Sequence, residues 1–97
     1  MASYITLIKF TQKGIESIKD GPGRVDLARQ LFRANGAELK TFYLTLGRYD
    51  AVVISEAPND EAVARLALAT GRAGNVSTES LRAFTEDEYR KIVAALP

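Results

Sequence analysis

The sequence contains no cysteine, no histidine and no tryptophan. Without cysteine, the chain forms no disulfide, no thiolate metal site and no cysteine nucleophile. Without histidine, it lacks the commonest general base at neutral pH, the commonest zinc ligand and the usual haem ligand, and a Ser-His-Asp triad within one chain is excluded. Catalysis would have to depend on Asp, Glu, Lys, Tyr or Arg, or on a bound cofactor. We expect neither a cofactor nor a metal site.

An excess of one charge and long apolar runs are also missing. Thirteen basic and twelve acidic side chains leave a net charge of +1, so charge indicates neither a nucleic-acid nor a membrane partner. No apolar run approaches the ~20 residues that cross a bilayer. Residues 1–3 lead directly into a strand pattern rather than into a targeting segment. We therefore expect a cytoplasmic protein, and the lack of cysteine fits that compartment.

What is present suffices for one small domain, residues 1–97. Hydrophobic residues make up 46% of the chain, which is enough for a single core without cross-links. Because a domain of this size buries a limited share of its surface, association with a second copy would stabilise it.

Hydrophobic periodicity predicts four strands and three main helices. The predicted strands cover residues 4–11, 38–46, 51–56 and 76–84. The first main helix starts at Arg24, with Asp20 as its cap, after a short helical turn within residues 12–19. The second follows Asn59, and Thr85 with Glu88 forms a capping box that begins the third. The order β-α-β-β-α-β plus a C-terminal helix predicts an α+β, ferredoxin-like fold, with an antiparallel sheet and helices on one face.

The face of the sheet without helices is predicted to be apolar as well. Alternation divides the first strand into Tyr4, Thr6, Ile8 and Phe10 on one face and Ile5, Leu7 and Lys9 on the other. It divides the third strand into Val52 and Ile54 against Ala51, Val53 and Ser55, so neither face of either strand is properly polar. Monomers rarely expose large apolar patches. We expect a homodimer, or a larger homo-oligomer, in which a second sheet covers this face. The alternative is that the C-terminal helix folds across the open face of its own chain.

Several segments resemble the GYD domain family in order along residues 4–92. They are residues 4–11, 18–22, 40–50, 56–58 and 74–78. The literal Gly-Tyr-Asp tripeptide is absent, because Arg48 stands between Gly47 and Tyr49, but the surrounding Leu-Gly-x-Tyr-Asp pattern fits. The resemblance implies a dimeric α+β barrel. It implies no single activity, because barrels of this kind include small monooxygenases, haem proteins, isomerases and ligand sensors.

The residues at the predicted hairpin are the candidate catalytic residues. Asp50 is a candidate general base or a group that polarises the Tyr49 hydroxyl, and Tyr43 is a third candidate. The structural interpretation, which we prefer, is that Asp50 binds backbone N–H groups at the turn while Tyr49 covers the sheet edge.

Candidate ligand-binding residues lie on the predicted strands. The hydroxyls of Thr41, Tyr43 and Thr45 fall on one side of the second strand, and with Lys9 or Lys40 they would line a pocket for a carboxylate or a phenol. The simpler interpretation is that Thr and Tyr are good strand residues.

Two further basic regions deserve comparison with known motifs. Arg82 on the fourth strand is a ligand-binding candidate if it points into a pocket or an interface. Lys19 and Arg24 flank a helix start, where anions bind, but the spacing matches neither a Walker loop nor a dinucleotide fingerprint. The RNA-binding version of this topology needs interleaved basic and aromatic residues that the third strand lacks.

Three functions remain open. The first is small-molecule binding, in a pocket between sheet and helices or at the dimer seam. The second is a cofactor-independent enzyme of the monooxygenase or isomerase kind. The third is a structural protein–protein interaction domain.

Overall fold

One four-stranded antiparallel sheet and four α-helices make up the computed structural model, which describes residues 1–97. The strands are β1 (Ala2–Phe10), β2 (Glu38–Leu44), β3 (Ala51–Ala57) and β4 (Val76–Ala83). The helices are α1 (Gln12–Glu16), α2 (Gly21–Ala34), α3 (Asp60–Arg72) and α4 (Glu86–Ala94), with a 3-10 turn at Ile18–Asp20. The strand order is β2-β3-β1-β4 and every neighbouring pair is antiparallel. The predicted α+β fold is confirmed, and the topology is consistent with a ferredoxin-like arrangement.

The start of α2 differs from the prediction. The helix begins at Gly21 and holds Pro22 in its first turn, where a missing N–H costs nothing. Asp20 makes no capping hydrogen bond, so its predicted role as a cap is wrong. The physical reason is that Asp20 ends the 3-10 turn with helical backbone angles, whereas a capping side chain needs an extended backbone to reach the next N–H groups.

The caps of the later helices match the sequence pattern. The Asn59 side chain accepts from the backbone N–H of Ala62 at the start of α3. Thr85 and Glu88 form the complete capping box of α4, each side chain accepting from the other residue's backbone N–H. At the other end of α2, Gly36 adopts a φ of +73°, which ends the helix in a conformation that suits glycine.

The core lies between the sheet and the helices α2 and α3. It consists of nine buried hydrophobic residues, of which four are alanine, so it is small for 97 residues. Phe32 of α2 packs against both halves of this core. The buried residues are Tyr4, Ile8, Ala37, Leu39, Ala51, Val53, Ala57, Ala62 and Leu66.

The opposite face of the sheet, which we call the open face, carries no helix. Cross-strand pairing places Ile5 beside Ile54 and Leu81, and Leu7 beside Val52, across the three strands β3, β1 and β4. These side chains are only partly buried or are exposed. The predicted apolar character of this face is therefore present in the structure.

The C-terminal helix does not cover the open face of its own chain. No residue of α4 is buried. Only Phe84 and Thr85 separate it from β4, and the Arg82 guanidinium stacks 4.4 Å from the Phe84 ring. The radius of gyration is 14.6 Å, against about 12.5 Å for a compact chain of this length. The larger value and the 52 Å long axis fit a helix that extends from the body, so the alternative in which α4 covers the sheet is wrong.

Candidate functional site

Asp50 links the start of β3 to the end of β1. Its carboxylate accepts a hydrogen bond of 2.8 Å from the backbone N–H of Phe10, and its own N–H donates to the carbonyl of Ile8 at 2.8 Å. The Thr45 N–H donates to the carbonyl of Asp50 at 3.0 Å, and the Thr45 hydroxyl donates to the carbonyl of Tyr49 at 2.7 Å. These bonds brace residues 45–50 and give the carboxylate of Asp50 a structural partner. The arrangement favours the structural interpretation of Asp50 over that of a general base.

Tyr49 belongs to a polar group at one corner of the open face. Its hydroxyl donates to Glu79 Oε2 at 3.2 Å, and Lys9 Nζ lies 5.5 Å from the centre of its ring. Ser77 completes the polar wall of a shallow cavity of about 200 Å³ that is bounded by Leu7 on the apolar side. We call this group, Lys9, Tyr49, Ser77 and Glu79, the open-face corner. It joins two predicted residues with two that sequence patterns did not indicate.

The predicted row of hydroxyls on β2 is brought together in part, because Thr41 and Tyr43 pair with Ile54 and Val52 and so both lie on the open face. Strand β2 ends at Leu44, so Thr45 lies in the loop, where its hydroxyl is bound to a backbone carbonyl. Lys40 falls at a register shift between Leu39 and Thr41, and its ammonium lies 3.4 Å from Glu56 and 3.8 Å from Glu38. Lys9 is on β1, which is separated from β2 by β3. Thr45 therefore leaves the row, because β2 ends early, while a ligand pocket formed by Thr41 and Tyr43 with a lysine stays a prediction.

Arg82 lies on the helix-covered side of β4, because it pairs across the strands with buried Tyr4. Its guanidinium stacks on Phe84 and lies 5.7 Å from the centre of the Tyr4 ring, and it donates to the carbonyls of Ser3 and Ala83. Arg82 lines neither the cavity at the open-face corner nor the one between the sheet and the helices. Its contacts are those of a residue that fixes the connection between β4 and α4.

The Tyr4 phenol is the titratable group with the most unusual surroundings. Its hydroxyl donates to Asp60 Oδ1 at the first residue of α3. This hydrogen bond, then burial, then the negative charge of Asp60 raise the pKa of Tyr4 above its ordinary value, while the charge of Arg82 opposes the rise. The bond ties β1 to the start of α3 and was not indicated by the sequence.

A second cavity, of about 70 Å³, lies between the sheet and the helices. Its walls include Phe32 and Leu66, and its polar atoms are hydroxyls. Thr6 Oγ1 and Ser80 Oγ lie 3.1 Å apart, and Ser55 is nearby on β3. None of the lining residues is titratable and none is a candidate from the sequence. The space is far below the ~300 Å³ at the lower end of typical ligand pockets.

Other possible sites are limited. No three carboxylates lie close enough together to hold a metal ion. None of the helices has the length and the apolar composition that crossing a membrane requires. Arg24, which flanks the start of α2, donates to the carbonyls of Gly14 and Ser17 and to the Ser17 hydroxyl, so its charge is used within the chain.

Exposed apolar side chains are more numerous than buried ones. Fourteen large hydrophobic residues are exposed, against nine buried hydrophobic residues in the core. Ten of them fall in four places, while Met1, Ile15, Ile18 and Leu81 lie elsewhere. Tyr89, Ile92 and Val93 are on α4 with Phe84 and Leu96 next to it, Tyr43, Leu44 and Leu46 are at the end of β2 and in its loop, and Leu27 and Leu68 are on α2 and α3. The extreme case is Leu46, which is 99% exposed on the braced 45–50 loop.

These features define a small α+β protein with one sheet face covered by helices and the other left apolar. The model of the GYD domain family matches residues 4–93. The chain is also 33% identical over 85 residues to a Thermus thermophilus protein named glutamine synthetase and cystathionine beta-lyase binding protein. That match covers 87% of this chain and 90% of the relative. The chain belongs to the GYD domain family, as the resemblance in its motifs implied.

Proposed function

We propose that this protein is a homodimeric binding module whose target is another protein. The distribution of apolar side chains carries the proposal. The chain buries few large hydrophobic residues in its own core and exposes a larger number of them. The cavity between the sheet and the helices, of about 70 Å³, is too small for most metabolites. Contiguous exposed apolar surface is typical of sites that bind proteins.

The open face supports the homodimer. Its centre is formed by Ile5, Leu7, Val52 and Ile54, and no element of the chain packs on it. A two-fold axis would bring this face against the same face of a second copy, so one surface serves both subunits. Charged side chains surround the apolar centre, as in many interfaces with an apolar core and a polar rim. They are Lys9, Glu38, Lys40, Glu56 and Glu79.

Native mass spectrometry and sedimentation test the homodimer. The wild-type protein should be a dimer at micromolar concentration. Ile54→Lys should be a folded monomer, because it adds a charge at the centre of the open face and removes nothing from the core. Leu68→Lys, on the outer surface of α3, is the matched control and should stay dimeric. A wild-type monomer would contradict the proposal.

The outer surface of α3 supports a protein target. Leu68 is 75% exposed and lies between Arg65 and Arg72 on the outer side of the helix. Neither arginine forms an ion pair within the chain. A matching partner surface would be an apolar pocket surrounded by acidic residues. The acidic residues are expected because charge complementarity selects partners and speeds their encounter.

The relative's name indicates which targets to measure first. Purified glutamine synthetase and cystathionine β-lyase from the source organism should bind the immobilised wild-type protein. Leu68→Asp should weaken that binding by about tenfold or more, the loss expected of a central interface residue. Leu27→Asp is the control, at a leucine of α2 that is 63% exposed and has no two flanking arginines. If neither enzyme binds, both are excluded as targets of this protein.

Small-molecule binding is the second candidate, because the open-face corner is a polar cavity at the proposed dimer seam. A second sheet would enclose Lys9, Tyr49 and Glu79, and the ammonium with the phenol would suit a carboxylate or a phenol. Native mass spectra should then show an added mass on the dimer, and the ligand should raise the melting temperature of wild type but not of Lys9→Ala. A bare dimer that no small carboxylate or phenol stabilises would contradict this function.

A further inference from the structure

We propose that the open-face corner binds a small zwitterion, a molecule that carries an ammonium beside a carboxylate, as a free α-amino acid does. The inference rests on the small-molecule function given above as the second candidate, and it names the class of ligand for that same site. A simple carboxylate or a phenol satisfies one part of the corner, whereas an amino acid satisfies both of its charges.

Two opposite charges border the cavity of the open-face corner and do not neutralise each other. Lys9 and Glu79 both line this cavity. The basic residues that form ion pairs within the chain are Arg29, Lys40 and Arg90. Neither the Lys9 ammonium nor the Glu79 carboxylate therefore has an opposite charge as a direct partner, and both charges are free to bind a ligand.

The strand register explains why the two charges stay apart. Lys9 of β1 pairs with Ser77 of β4, and the next pair on the same face is Leu7 with Glu79. Lys9 and Glu79 are therefore diagonal neighbours, with backbones about 7–8 Å apart. The Tyr49 ring centre lies 5.5 Å from the Lys9 ammonium, and the Tyr49 hydroxyl donates to Glu79 at 3.2 Å. Tyr49 thus contacts both charged side chains and orients the carboxylate.

The spacing of the two charges suits a ligand that bridges them. A direct ion pair requires the charged atoms to come within about 4 Å, and Lys9 and Glu79 do not form one. An α-amino acid carries its two charged groups on the same carbon and forms short charge-assisted hydrogen bonds with each. Its carboxylate would accept from the Lys9 ammonium and the Ser77 hydroxyl, while its ammonium would donate to Glu79.

The balance of charge disfavours simpler ligands. A carboxylate without an ammonium would bind Lys9 but would place a second negative charge near Glu79. An amine without a carboxylate would reverse the problem, and a neutral phenol would leave both charges without a partner. Unpaired charges are costly where water is removed, and the second sheet of the proposed homodimer would remove water from this corner. A zwitterion pairs both charges and adds no net charge.

The size and the apolar wall of the cavity narrow the ligand further. Its volume is about 200 Å³, the space that about seven water molecules occupy in the liquid. Such a space accepts a single amino acid but not a nucleotide or a folded peptide. Leu7 forms the apolar wall, so an aliphatic side chain on the ligand would have an apolar surface to contact.

Thermal unfolding of the purified wild-type protein with three matched compounds tests the ligand class. They are L-leucine, 4-methylpentanoate, which lacks the ammonium, and 3-methylbutylamine, which lacks the carboxylate. L-Leucine should raise the melting temperature, and it should bind at least about tenfold more tightly than either analogue, because each analogue leaves one charge of the site unpaired. Equal affinities for L-leucine and 4-methylpentanoate would overturn the inference but leave a carboxylate site at the corner.

Charge variants of the corner should change the preferred compound in opposite directions. Glu79→Gln leaves only the ammonium and should favour 4-methylpentanoate over L-leucine. Lys9→Gln leaves only the carboxylate and should favour 3-methylbutylamine. Lys40→Gln is the matched control, because this exposed lysine of β2 does not line the cavity, and it should bind like wild type. If both corner variants keep the preference of wild type, the inference is overturned.

The remaining outcomes separate the inference from the functions proposed above. If a phenol stabilises the dimer and L-leucine does not, the small-molecule function stands and the inference is overturned. If no compound of any class binds, both are overturned. If, in addition, Lys9→Gln weakens the dimer in sedimentation, Lys9 and Glu79 belong to ion pairs between two copies. A monomer that prefers L-leucine to both analogues would support the ligand class and contradict only the homodimer.

Discussion

The two faces of the sheet are built from alternate residues of the same strands, yet they serve different purposes. On the helix-covered face of β3, Ala51, Val53 and Ser55 are 0, 4 and 2% exposed. On the open face, Val52 and Ile54 are similarly apolar but only partly buried. The stability of the single chain therefore resides on the helix-covered face. Because the apolar residues of the open face are not needed for the core, they are available for association.

The largest expected effect on stability distinguishes the buried side of α3 from its exposed side. Leu66→Ala removes a leucine that is 3% exposed beneath α3 and should lower the free energy of unfolding by about 2–5 kcal/mol. Leu68→Ala changes the same residue type on the outer surface of the helix and should stay within ~0.5 kcal/mol of wild type. Denaturant titration of both variants measures the difference. If the two variants lost similar free energies of unfolding, burial would not be what distinguishes the two sides of α3.

The next effect concerns the link between β1 and β3. Asp50→Ala removes the acceptor of the Phe10 N–H and should lower the free energy of unfolding by about 1.5–3 kcal/mol, the range for a charged hydrogen bond. Asp50→Asn keeps an acceptor oxygen and should lose clearly less. Urea unfolding of the two variants compares them. If Asp50→Asn keeps full stability but abolishes a turnover found for wild type, the catalytic interpretation replaces the structural one.

A smaller effect is expected at the bond between Tyr4 and Asp60. Tyr4→Phe should cost about 1 kcal/mol, the usual net value of one hydrogen bond. The folded pKa of Tyr4 is raised, chiefly by its bond to Asp60, so its contribution to stability is fully present below the unfolded pKa of about 10 and declines above it. Wild type should therefore lose stability above about pH 10 more steeply than Tyr4→Phe. Thermal melts across that pH range measure both proteins. If the melting temperatures of wild type and Tyr4→Phe fell in parallel, the role given to the Tyr4–Asp60 bond would be contradicted.

The smallest effect is confined to α4. The backbone hydrogen bond from Thr85, helped by the charges of Arg82 and Lys91, lowers the pKa of Glu88. A lowered carboxyl pKa stabilises above the unfolded value, and the contribution disappears as the pH falls through the folded value. In the Ile54→Lys monomer, α4 should fray in acid before the core responds. NMR shifts of the last turn report this, and Glu88→Gln, which keeps a hydrogen-bonding oxygen, should remove the pH dependence.

Much of the fold was predictable because local patterns and tertiary packing agree. The alternation in β1 and β3, the stripe of α3 and the capping box at Thr85 all appear in the structure. The start of α2 was not predicted, because the 3-10 turn before it makes Asp20 part of a continuous helical run. Simple alternation also failed at Lys40, where a register shift changes the face that the side chain meets.

The candidate site was less predictable than the fold. Tyr49 and Lys9 were each singled out, but their proximity and their shared neighbour Glu79 depend on the pairing of β1 with β4. These residues are far apart in the sequence, and no local pattern records which strands become neighbours. The cavity lined by Thr6 and Ser80 was missed for the same reason, since its hydroxyls come from different strands.

The sequence by itself determined the order of strands and main helices, the caps of α3 and α4 and the apolar character of both sheet faces, because these follow from residue spacing and local hydrogen bonds. Only the tertiary structure decided which face α2 and α3 cover, that α4 leaves the body, and that Asp50 binds the backbone of β1. Those outcomes depend on contacts between residues that are distant in the chain. Such contacts are selected by how well whole elements pack together, and the spacing of residues within one element does not specify them.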